Sequence, residues 1–299
     1  RQPDGTPLMD GQGRVTSHLS GLIYRLSNFV AAGIKPVFVF DGPPPDLKRA
    51  EIERRREARA KAQREYETAV ASGDFAAAWS KAVISTRLTR TMIDDAKTLL
   101  SFLGFPWVQA PSEGEAEAAY VARRGDAWAA GSKDYDSLLF GAPRLVRFLA
   151  VGSTEFLPSV GRIRAVPPEL LDLDENLHVL GVTREQLVDA AILVGTDFFP
   201  GVHGIGPKTA AKRLQDWGSL DAAPAEIREQ LPANLEEIRS FFLNPPVVEP
   251  GDLRMRAVQA DAVLRFLCEE RDFSRERVER ALKLLHASSQ QASRLEDFG

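Results

Sequence analysis

The chain has 299 residues, of which 44% are hydrophobic and 27% charged, and its formal net charge is -4. This composition is typical of a globular protein, and the slight acidic excess argues against a general polyanion binder, which usually carries a basic excess. The single cysteine, Cys268, excludes an intrachain disulfide and a cysteine-based zinc site, and no apolar run approaches the roughly 20 residues of a membrane span. We therefore predict an intracellular monomer without membrane contact.

The first predicted elements are a helix and a buried strand. Residues 1–15 lack a periodic apolar pattern and are predicted to form a loop, whereas apolar residues at helical spacing predict an amphipathic helix over residues 16–33. The continuous apolar run at residues 37–40 is typical of a buried parallel strand. Asp41 follows at the carboxyl end of this strand, and three prolines then interrupt regular structure.

Residues 46–84 differ from the rest of the chain because acidic and basic residues alternate and large apolar residues are sparse. The pattern predicts a helical insertion that stands off the domain. Its simplest interpretation is a solvated helical face stabilised by Glu–Arg pairs. However, Lys48 and Arg55 are seven residues apart, hence on one helix face, and follow Asp41 closely. These two cations are therefore candidates for contact with a phosphate.

Two pairs of carboxylates flank the next predicted crossover. Glu113 and Glu115 follow a short strand and open an alanine-rich helix, and Asp134 and Asp136 follow the apolar run at residues 127–130. In an open α/β sheet, ligands bind beyond the carboxyl ends of the strands. Four carboxylates brought to one rim repel each other unless they are protonated or bridged by cations, so the pattern favours a divalent metal site.

A purely structural interpretation of the same residues also exists. Ser112 and Glu115 have the spacing of a capping box, with Ser112 as N-cap and Glu115 at the N3 position. Asp134 and Asp136 have the composition of an ordinary turn.

The remainder of the chain is predicted to contain three strands and then helices. The strands are predicted at residues 145–149, 154–157 and 162–166, and the helices at 168–180, 183–194, 207–216 and from there to the end. We assign residues 1–290 to a single domain. The last dozen residues lack a core pattern and are expected to be disordered.

A sixth carboxylate, Asp197, follows an apolar helix in the segment AILVGTDFFPG. Hard oxygen ligands suit Mg²⁺ or Mn²⁺, and no histidine cluster indicates zinc. Two such ions about 4 Å apart stabilise the attacking and leaving oxygens of a phosphoryl displacement. The predicted ligand set comprises Asp41, Glu113, Glu115, Asp134, Asp136 and Asp197.

A glycine-rich turn between two helices, GVHGIGPKT, is the second candidate site. Backbone amides at Gly204, Ile205 and Gly206 can approach a phosphate closely, and the following helix begins with a favourable dipole. Lys208 and Lys212 add positive charge to one face of that helix. The alternative is an ordinary helix–turn–helix connection with a proline at the first helical position.

Four segments together resemble the flap endonuclease family, in order and in spacing. They are VFVFDGPPPDLKR, QAPSEGEAEAAYVA, GSKDYDSLLFG and AILVGTDFFPGVHGIGPKTA. The resemblance covers roughly residues 16–220. Over these residues the chain is most similar to the archaeal and eukaryotic members of the family. It implies a PIN-like α/β fold with a mostly parallel sheet flanked by helices, a helical arch at residues 46–84, and a helix–two-turn–helix element at residues 183–220.

The resemblance also implies roles for the candidate residues. The six carboxylates would be metal ligands for two Mg²⁺ ions, which Mn²⁺ can replace. Lys48 and Arg55 on the arch would contact the scissile phosphate, and Gly204, Ile205 and Gly206 would form a hairpin that holds duplex DNA together with K⁺. The cellular location implied is the cytoplasm of an archaeon or the nucleus of a eukaryote.

The chain departs from the family pattern near both ends. The family begins with a strand that carries another metal-binding aspartate, and this sequence shows no such strand before the helix predicted to start near residue 16. Asp4 and Asp10 lie in a polar segment and are not assigned that role. At the other end, residues 291–299 are similar to a sliding-clamp peptide, in which Leu295 and Phe298 fit the hydrophobic positions and Ala292 stands where glutamine is usual.

We therefore predict a structure-specific 5′ flap endonuclease of DNA replication and repair that acts on branched DNA, with 5′–3′ exonuclease activity as well. One alternative is a 5′ exonuclease or bubble-cutting repair nuclease of the same superfamily. The other is a non-catalytic DNA-junction binder, which the unmatched first strand motivates.

Overall fold

The computed structural model describes residues 6–74, 77, 81, 88–149, 154–157 and 162–296. Its strands are short: β1 Phe38–Phe40, β2 Trp107–Gln109, β3 Ala130–Gly131, β4 Arg144–Arg147, β5 Thr154–Leu157, β6 Arg162–Ala165 and β7 Glu169–Asp172. Its α-helices in the described ranges are α1 Ser17–Ala31, α2 Arg49–Ala71, α3 Arg90–Phe102, α4 Gly114–Arg123, α5 Asp136–Leu139, α6 Leu173–Leu180, α7 Arg184–Val194, α8 Pro207–Trp217, α9 Ala225–Arg228, α10 Leu235–Leu243, α11 Ala260–Leu264 and α12 Arg275–Glu296.

The strands form three small sheets. Strands β1 and β2 pair in parallel, and β3 pairs in parallel with β4, which in turn pairs antiparallel with β7. Strands β5 and β6 form a separate antiparallel pair. The predicted α/β class is therefore confirmed, although the strands are divided among small sheets. The two parallel pairs are the ones that lead into the predicted carboxylates.

One predicted helix begins later than expected. Residues 168–180 were predicted to be helical, but Glu169–Asp172 form β7 and the helix begins at Leu173. Leu171 lies opposite Leu145 in the pairing with β4, and Asp172 accepts a hydrogen bond from the Glu175 amide as the N-cap of α6. Pairing with an existing strand satisfies the backbone of these four residues, and this tertiary contact overrides the helical pattern.

Two large hydrophobic cores and a smaller cluster around Leu138, Leu145 and Leu173 support the fold in the part of the chain that the structure describes. One lies among α4, α5, α7, α8 and α10, where Phe140 and Phe242 are almost fully buried and their ring centroids are 5.2 Å apart. The other joins α1 and α3 to α11 and α12 near the end of the chain. The first core packs directly beneath the segments that carry Glu115 and Asp197.

The arch insertion and the tail are described only in part. Helix α2 carries the first half of the predicted insertion, and Lys81 lies 2.6 Å from Glu65 of this helix; most of residues 75–87 lie outside the described residues. Helix α12 extends to Glu296, so the prediction that the last dozen residues are disordered is wrong as far as residue 296. Residues 297–299 lie outside the described residues.

A buried ion pair links α7 to α10. The Asp189 carboxylate accepts hydrogen bonds from Arg239 Nε at 2.7 Å and Nη2 at 2.9 Å, and from the Leu220 amide at 2.9 Å. Because removing Asp189 leaves Arg239 with only exposed carboxylate partners and leaves the Leu220 amide without its acceptor, Asp189→Ala is expected to reduce the free energy of unfolding by about 3 kcal/mol.

Urea denaturation checks this expectation, and Asp221→Ala is the matched control. Asp221 lies 3.0 Å from the same guanidinium, but its side chain is 67% exposed, so its loss should cost less than about 1 kcal/mol. Equal losses of stability in the two variants would contradict the argument.

Candidate active site

Asp41 is held at the carboxyl end of β1 by the start of α4. Its Oδ1 accepts a hydrogen bond from the Gly114 amide at 2.7 Å. The residue that follows β1 thus caps helix α4, which follows β2. The neighbouring Gly42 allows this close approach, because a Cβ there would lie 2.4 Å from the Ala110 carbonyl oxygen. Asp41 is thereby placed beside Glu113, which is the N-cap residue of α4.

The capping box, which was the structural alternative for these residues, is not formed. Helix α4 begins at Gly114 with Glu113 as its N-cap, and the buried Ser112 hydroxyl has no hydrogen-bond partner among the described residues. Asp41 takes the place that a local cap would fill. Glu115 instead accepts a short hydrogen bond from the Ser132 hydroxyl and a longer one, 3.4 Å, from Ser137.

Two carboxylates at the rim are poorly compensated in their ionised form. Burial first, and then repulsion from Asp136 and Asp134, raise the pKa of Glu115 to about 7 against the lowering effect of the Ser132 and Ser137 hydroxyls. Burial likewise raises the pKa of Asp136 to about 6, with added repulsion from Asp197 and Asp134. A bound cation would therefore stabilise the ionised forms of Glu115 and Asp136 most.

Two cations at the base of the arch already contact this rim. Lys48 Nζ lies 2.8 Å from Glu113 Oε2 and 2.9 Å from Asp197 Oδ2, and Arg55 Nη2 lies 2.8 Å from Asp197 Oδ1. Burial disfavours the ammonium, but the hydrogen bonds to the two carboxylates outweigh it and raise the pKa of Lys48. Arg55 also pairs with Glu51 one turn earlier on α2.

The predicted residues therefore come together from four separate parts of the chain. Contacts and mutual repulsion link five of the carboxylates with Lys48 and Arg55, and Asp41 joins them through its hydrogen bond from the Gly114 amide. As the side chains stand, no three His, Cys, Asp or Glu side chains within the described ranges are grouped so as to hold one metal ion. Lys48 bridges two of the carboxylates instead. The oxygen-only donor set and the raised carboxyl pKa values fit a divalent cation, but the assignment of individual ligands stays a prediction.

Ser132 and Ser137 belong to the site although the sequence pattern did not predict them. Both hydroxyls contact Glu115, and Ser132 also accepts a hydrogen bond from the Asp134 amide at 3.1 Å. Both serines flank the Asp134–Asp136 pair in the sequence GSKDYDS. Their closeness to the acidic pair was the available signal.

The raised carboxyl pKa values predict a pH-dependent response to metal. Because the folded-state pKa values of Glu115 and Asp136, about 7 and about 6, exceed their ordinary values of 4.5 and 3.8, the metal-free fold binds extra protons in this window and loses stability as pH rises through it. Divalent cations bind the ionised carboxylates, so their affinity should rise by about tenfold per pH unit between pH 6 and pH 7, where one proton is displaced, and more steeply below pH 6, where both carboxyls are protonated. Thermal midpoints in EDTA should therefore fall from about pH 5 to about pH 8, and Mg²⁺ should raise them most at the upper end.

Glu115→Gln provides the control for this titration, since the amide cannot ionise. Its midpoint in EDTA should depend less on pH than that of the parent protein. A Mg²⁺-induced shift of equal size at both ends of the pH range would contradict the expectation.

The glycine-rich turn forms a second surface between α7 and α8. Val202 and Ile205 are buried and anchor the turn, whereas Gly204, with φ of 79°, is exposed. Lys208 and Lys212 are both exposed on the first turns of α8 and make no ion pair among the described residues. This exposed start of a helix, with cations one turn apart, suits a phosphate backbone.

Comparison with known proteins identifies the family. The chain matches the XPG N-terminal domain over residues 1–62 and the XPG I-region over residues 104–197. It is 51% identical over 296 residues to flap endonuclease 1 of Archaeoglobus fulgidus, an alignment that covers 99% of this chain and 88% of that protein. The chain belongs to the flap endonuclease family. The predicted family and the predicted flap endonuclease function are therefore confirmed.

Solved structures agree with this placement among the flap endonucleases. The flap endonuclease-1 structure from Methanococcus jannaschii has a TM-score of 0.72 and 35% identity, and the match covers 98% of this chain and 88% of that one. The catalytic core of Rad2 in complex with DNA substrate shares the fold at 22% identity, with a TM-score of 0.67 and coverage of 92% and 86%. No helix that the structure describes in this flap endonuclease combines the length and apolar character that crossing a membrane requires.

Proposed function

We propose that this flap endonuclease hydrolyses a phosphodiester bond where a single-stranded 5′ flap joins duplex DNA, and that it uses two divalent cations, normally Mg²⁺, for which Mn²⁺ can substitute. The observation that carries the proposal is the ammonium of Lys48, which bridges Glu113 and Asp197, two carboxylates from distant parts of the chain. A rim rich in carboxylates and a cation at the base of a projecting helix together provide ligands for metal and a contact for phosphate.

The residues that would hold the ions are the six carboxylates of the rim. Asp41 would serve from the end of β1, Glu113 and Glu115 from the start of α4, Asp134 and Asp136 from the turn after β3, and Asp197 from the segment after α7. When bound, the ions supply Lewis acidity that polarises the phosphoryl group and lowers the pKa of a coordinated water. The protein's own contribution is to hold the oxygen donors in place and to lower the cost of gathering their charges.

Lys48 and Arg55 would change partners when substrate binds. In the DNA-free protein both side chains neutralise carboxylates. Metal ions bound at those carboxylates would free Lys48 and Arg55 to reach the scissile phosphate. Each would then donate charge-assisted hydrogen bonds to the phosphate oxygens as negative charge develops. The single-stranded flap would pass beside α2, which carries both residues.

The turn between α7 and α8 would grip the duplex. The amides around Gly204 and Gly206 would face a phosphate, K⁺ is expected to bind at this hairpin, and Lys208 and Lys212 add positive charge. Such contacts position DNA without reading its sequence.

Replacing both lysines by alanine is therefore expected to weaken duplex binding uniformly across sequences and to reduce the slope of log affinity against log salt by about two. Fluorescence anisotropy over a salt series measures both effects. Lys283→Ala, an exposed lysine on α12, is the control and should leave the slope unchanged. A double variant that keeps the parent's salt slope would rule out this contact.

Cleavage of a set of DNA substrates tests the function. Oligonucleotides with a 5′ flap, a gap, a bubble or a recessed 5′ end are incubated with Mg²⁺ or with EDTA. Preferred cutting of the flap substrate, together with slower exonuclease release from the recessed end, is the expected result. A preference for bubbles would favour the repair-nuclease alternative, and junction binding without metal-dependent cutting would favour the non-catalytic one.

Three further proposals concern the setting of the enzyme. Branched replication and repair intermediates lie inside the cell, so we place the enzyme in the cytoplasm of an archaeon or the nucleus of a eukaryote. We expect it to act as a monomer. Residues 291–299 would bind a sliding clamp through Leu295 and Phe298, which requires helix α12 to unwind at its end; a pull-down with a Leu295→Ala variant tests this contact.

A further inference from the structure

An exposed aromatic residue lies between two of the predicted ligands. Tyr135 separates Asp134 from Asp136 and is 52% exposed, so burial in the core does not fix it. Instead, the guanidinium of Arg147 from β4 stacks on its ring, with Arg147 Cζ 4.0 Å from the ring centroid. Arg147 Nη1 also donates a hydrogen bond to the Tyr135 hydroxyl at 2.5 Å.

The same guanidinium holds the other side of Asp134. Arg147 Nε donates to the carbonyl oxygen of Lys133 at 2.9 Å, and Arg147 Nη1 lies 2.9 Å from Glu169 on the neighbouring strand β7. The Arg147 side chain is only 14% exposed as a result. One planar group thus fixes the residues before and after Asp134 and is itself fixed by the sheet.

We propose that Arg147 is a positioning residue, and that with Tyr135 it forms a clamp that holds the Asp134–Asp136 turn in the arrangement needed to bind divalent cations. The inference rests on the metal site of the proposed function and adds a residue to which that function assigned no role. A loose turn would have to be ordered as each ion binds, and the conformational entropy lost in ordering it would reduce the affinity for divalent cations. A lysine cannot replace the clamp fully, because it lacks the planar fork that stacks and donates in two directions.

The neighbouring Arg144 supplies a matched comparison on the same strand. It stacks on Trp128 at 5.1 Å, donates to the Trp128 carbonyl at 3.2 Å and lies 3.9 Å from Asp172 of β7. Its partners are thus an aromatic ring, a carbonyl and a carboxylate, as for Arg147. Only the Arg147 contacts reach the acidic turn.

Calorimetric titration of Mg²⁺ and of Ca²⁺ without DNA tests the clamp. Arg147→Met is expected to weaken metal binding by about tenfold, the lower end for loss of a group that supports a ligand. Arg144→Met should change it by less than about twofold, although both variants should lower the thermal midpoint in EDTA. Arg147→Lys should be intermediate, and Tyr135→Phe, which keeps the stacked ring, should lose little.

Cleavage assays separate positioning from general damage. In the Arg147→Met variant, the Mg²⁺ concentration for half-maximal cutting should rise about tenfold while the rate at saturating Mg²⁺ approaches that of the parent. Metal affinity in Arg147→Met equal to that of the parent, or reduced no more than in Arg144→Met, overturns the clamp alone. A parent protein that binds neither cation overturns the proposed metal site and the clamp together.

Discussion

Replacing Lys48 by methionine is expected to slow flap cleavage by about 100-fold and, at the same time, to tighten Mg²⁺ binding in the absence of DNA. The two effects have one cause. The ammonium lies 2.8 Å from Glu113 and 2.9 Å from Asp197, so in the DNA-free protein it competes with metal for these carboxylates. In the proposed mechanism the same charge would stabilise the phosphate when DNA is bound, and methionine, which has a similar length, cannot supply it.

Single-turnover cleavage and calorimetry measure the two effects separately. Arg49→Met is the matched control, since Arg49 is the next residue, is largely exposed and pairs only with the exposed Asp46 among the described residues. It should leave the cutting rate and the metal affinity close to those of the parent. A Lys48→Met variant with slower cutting and unchanged or weaker Mg²⁺ binding would show that the lysine does not compete with the metal.

Replacing Asp136 by asparagine is expected to reduce cutting by at least about 100-fold, the upper end of what is lost when only the support of a ligand is removed. Burial and the charges of Asp197 and Asp134 raise the pKa of this carboxyl to about 6, so asparagine relieves repulsion in the metal-free state. The thermal midpoint in EDTA should therefore rise or stay constant while activity is lost. Asp134→Ala should also lose activity.

Glu117→Gln is the control for these ligand variants. Glu117 lies on α4 two residues after Glu115 and is fully buried, but its carboxylate accepts a hydrogen bond from the Val248 amide, and it is not among the predicted ligands. The variant should keep the parent's cutting rate. Fluorescence anisotropy in EDTA should show that the parent protein and the Asp136, Asp134 and Glu117 variants bind flap DNA with equal affinity. Full activity in Asp136→Asn would remove this residue from the site.

The sequence predicted the site where local pattern and strand order agree. Asp41 and Asp134 follow apolar runs that form strands in two parallel pairs, so the prediction that both lie at the carboxyl ends of strands follows from the way crossovers are built. Local sequence patterns did not predict the contacts that depend on residues far away in the chain. The start of α4 is capped by the Asp41 carboxylate, 73 residues from the Gly114 amide, and not by Ser112. The contact of Arg147 with Tyr135 likewise depends on how the chain returns after α5.

The hydrogen bond from the Gly114 amide to Asp41 also has a consequence for synthesis on the ribosome. The capping group is made 73 residues before the helix it caps, and Arg55 meets Asp197 only after a further 142 residues have followed it. A nascent chain therefore holds its acidic segments apart until most of the domain has emerged. A nuclease assembled in this order has no complete centre until Asp197 has emerged, and truncated products that end before this residue would lack one of the predicted metal ligands.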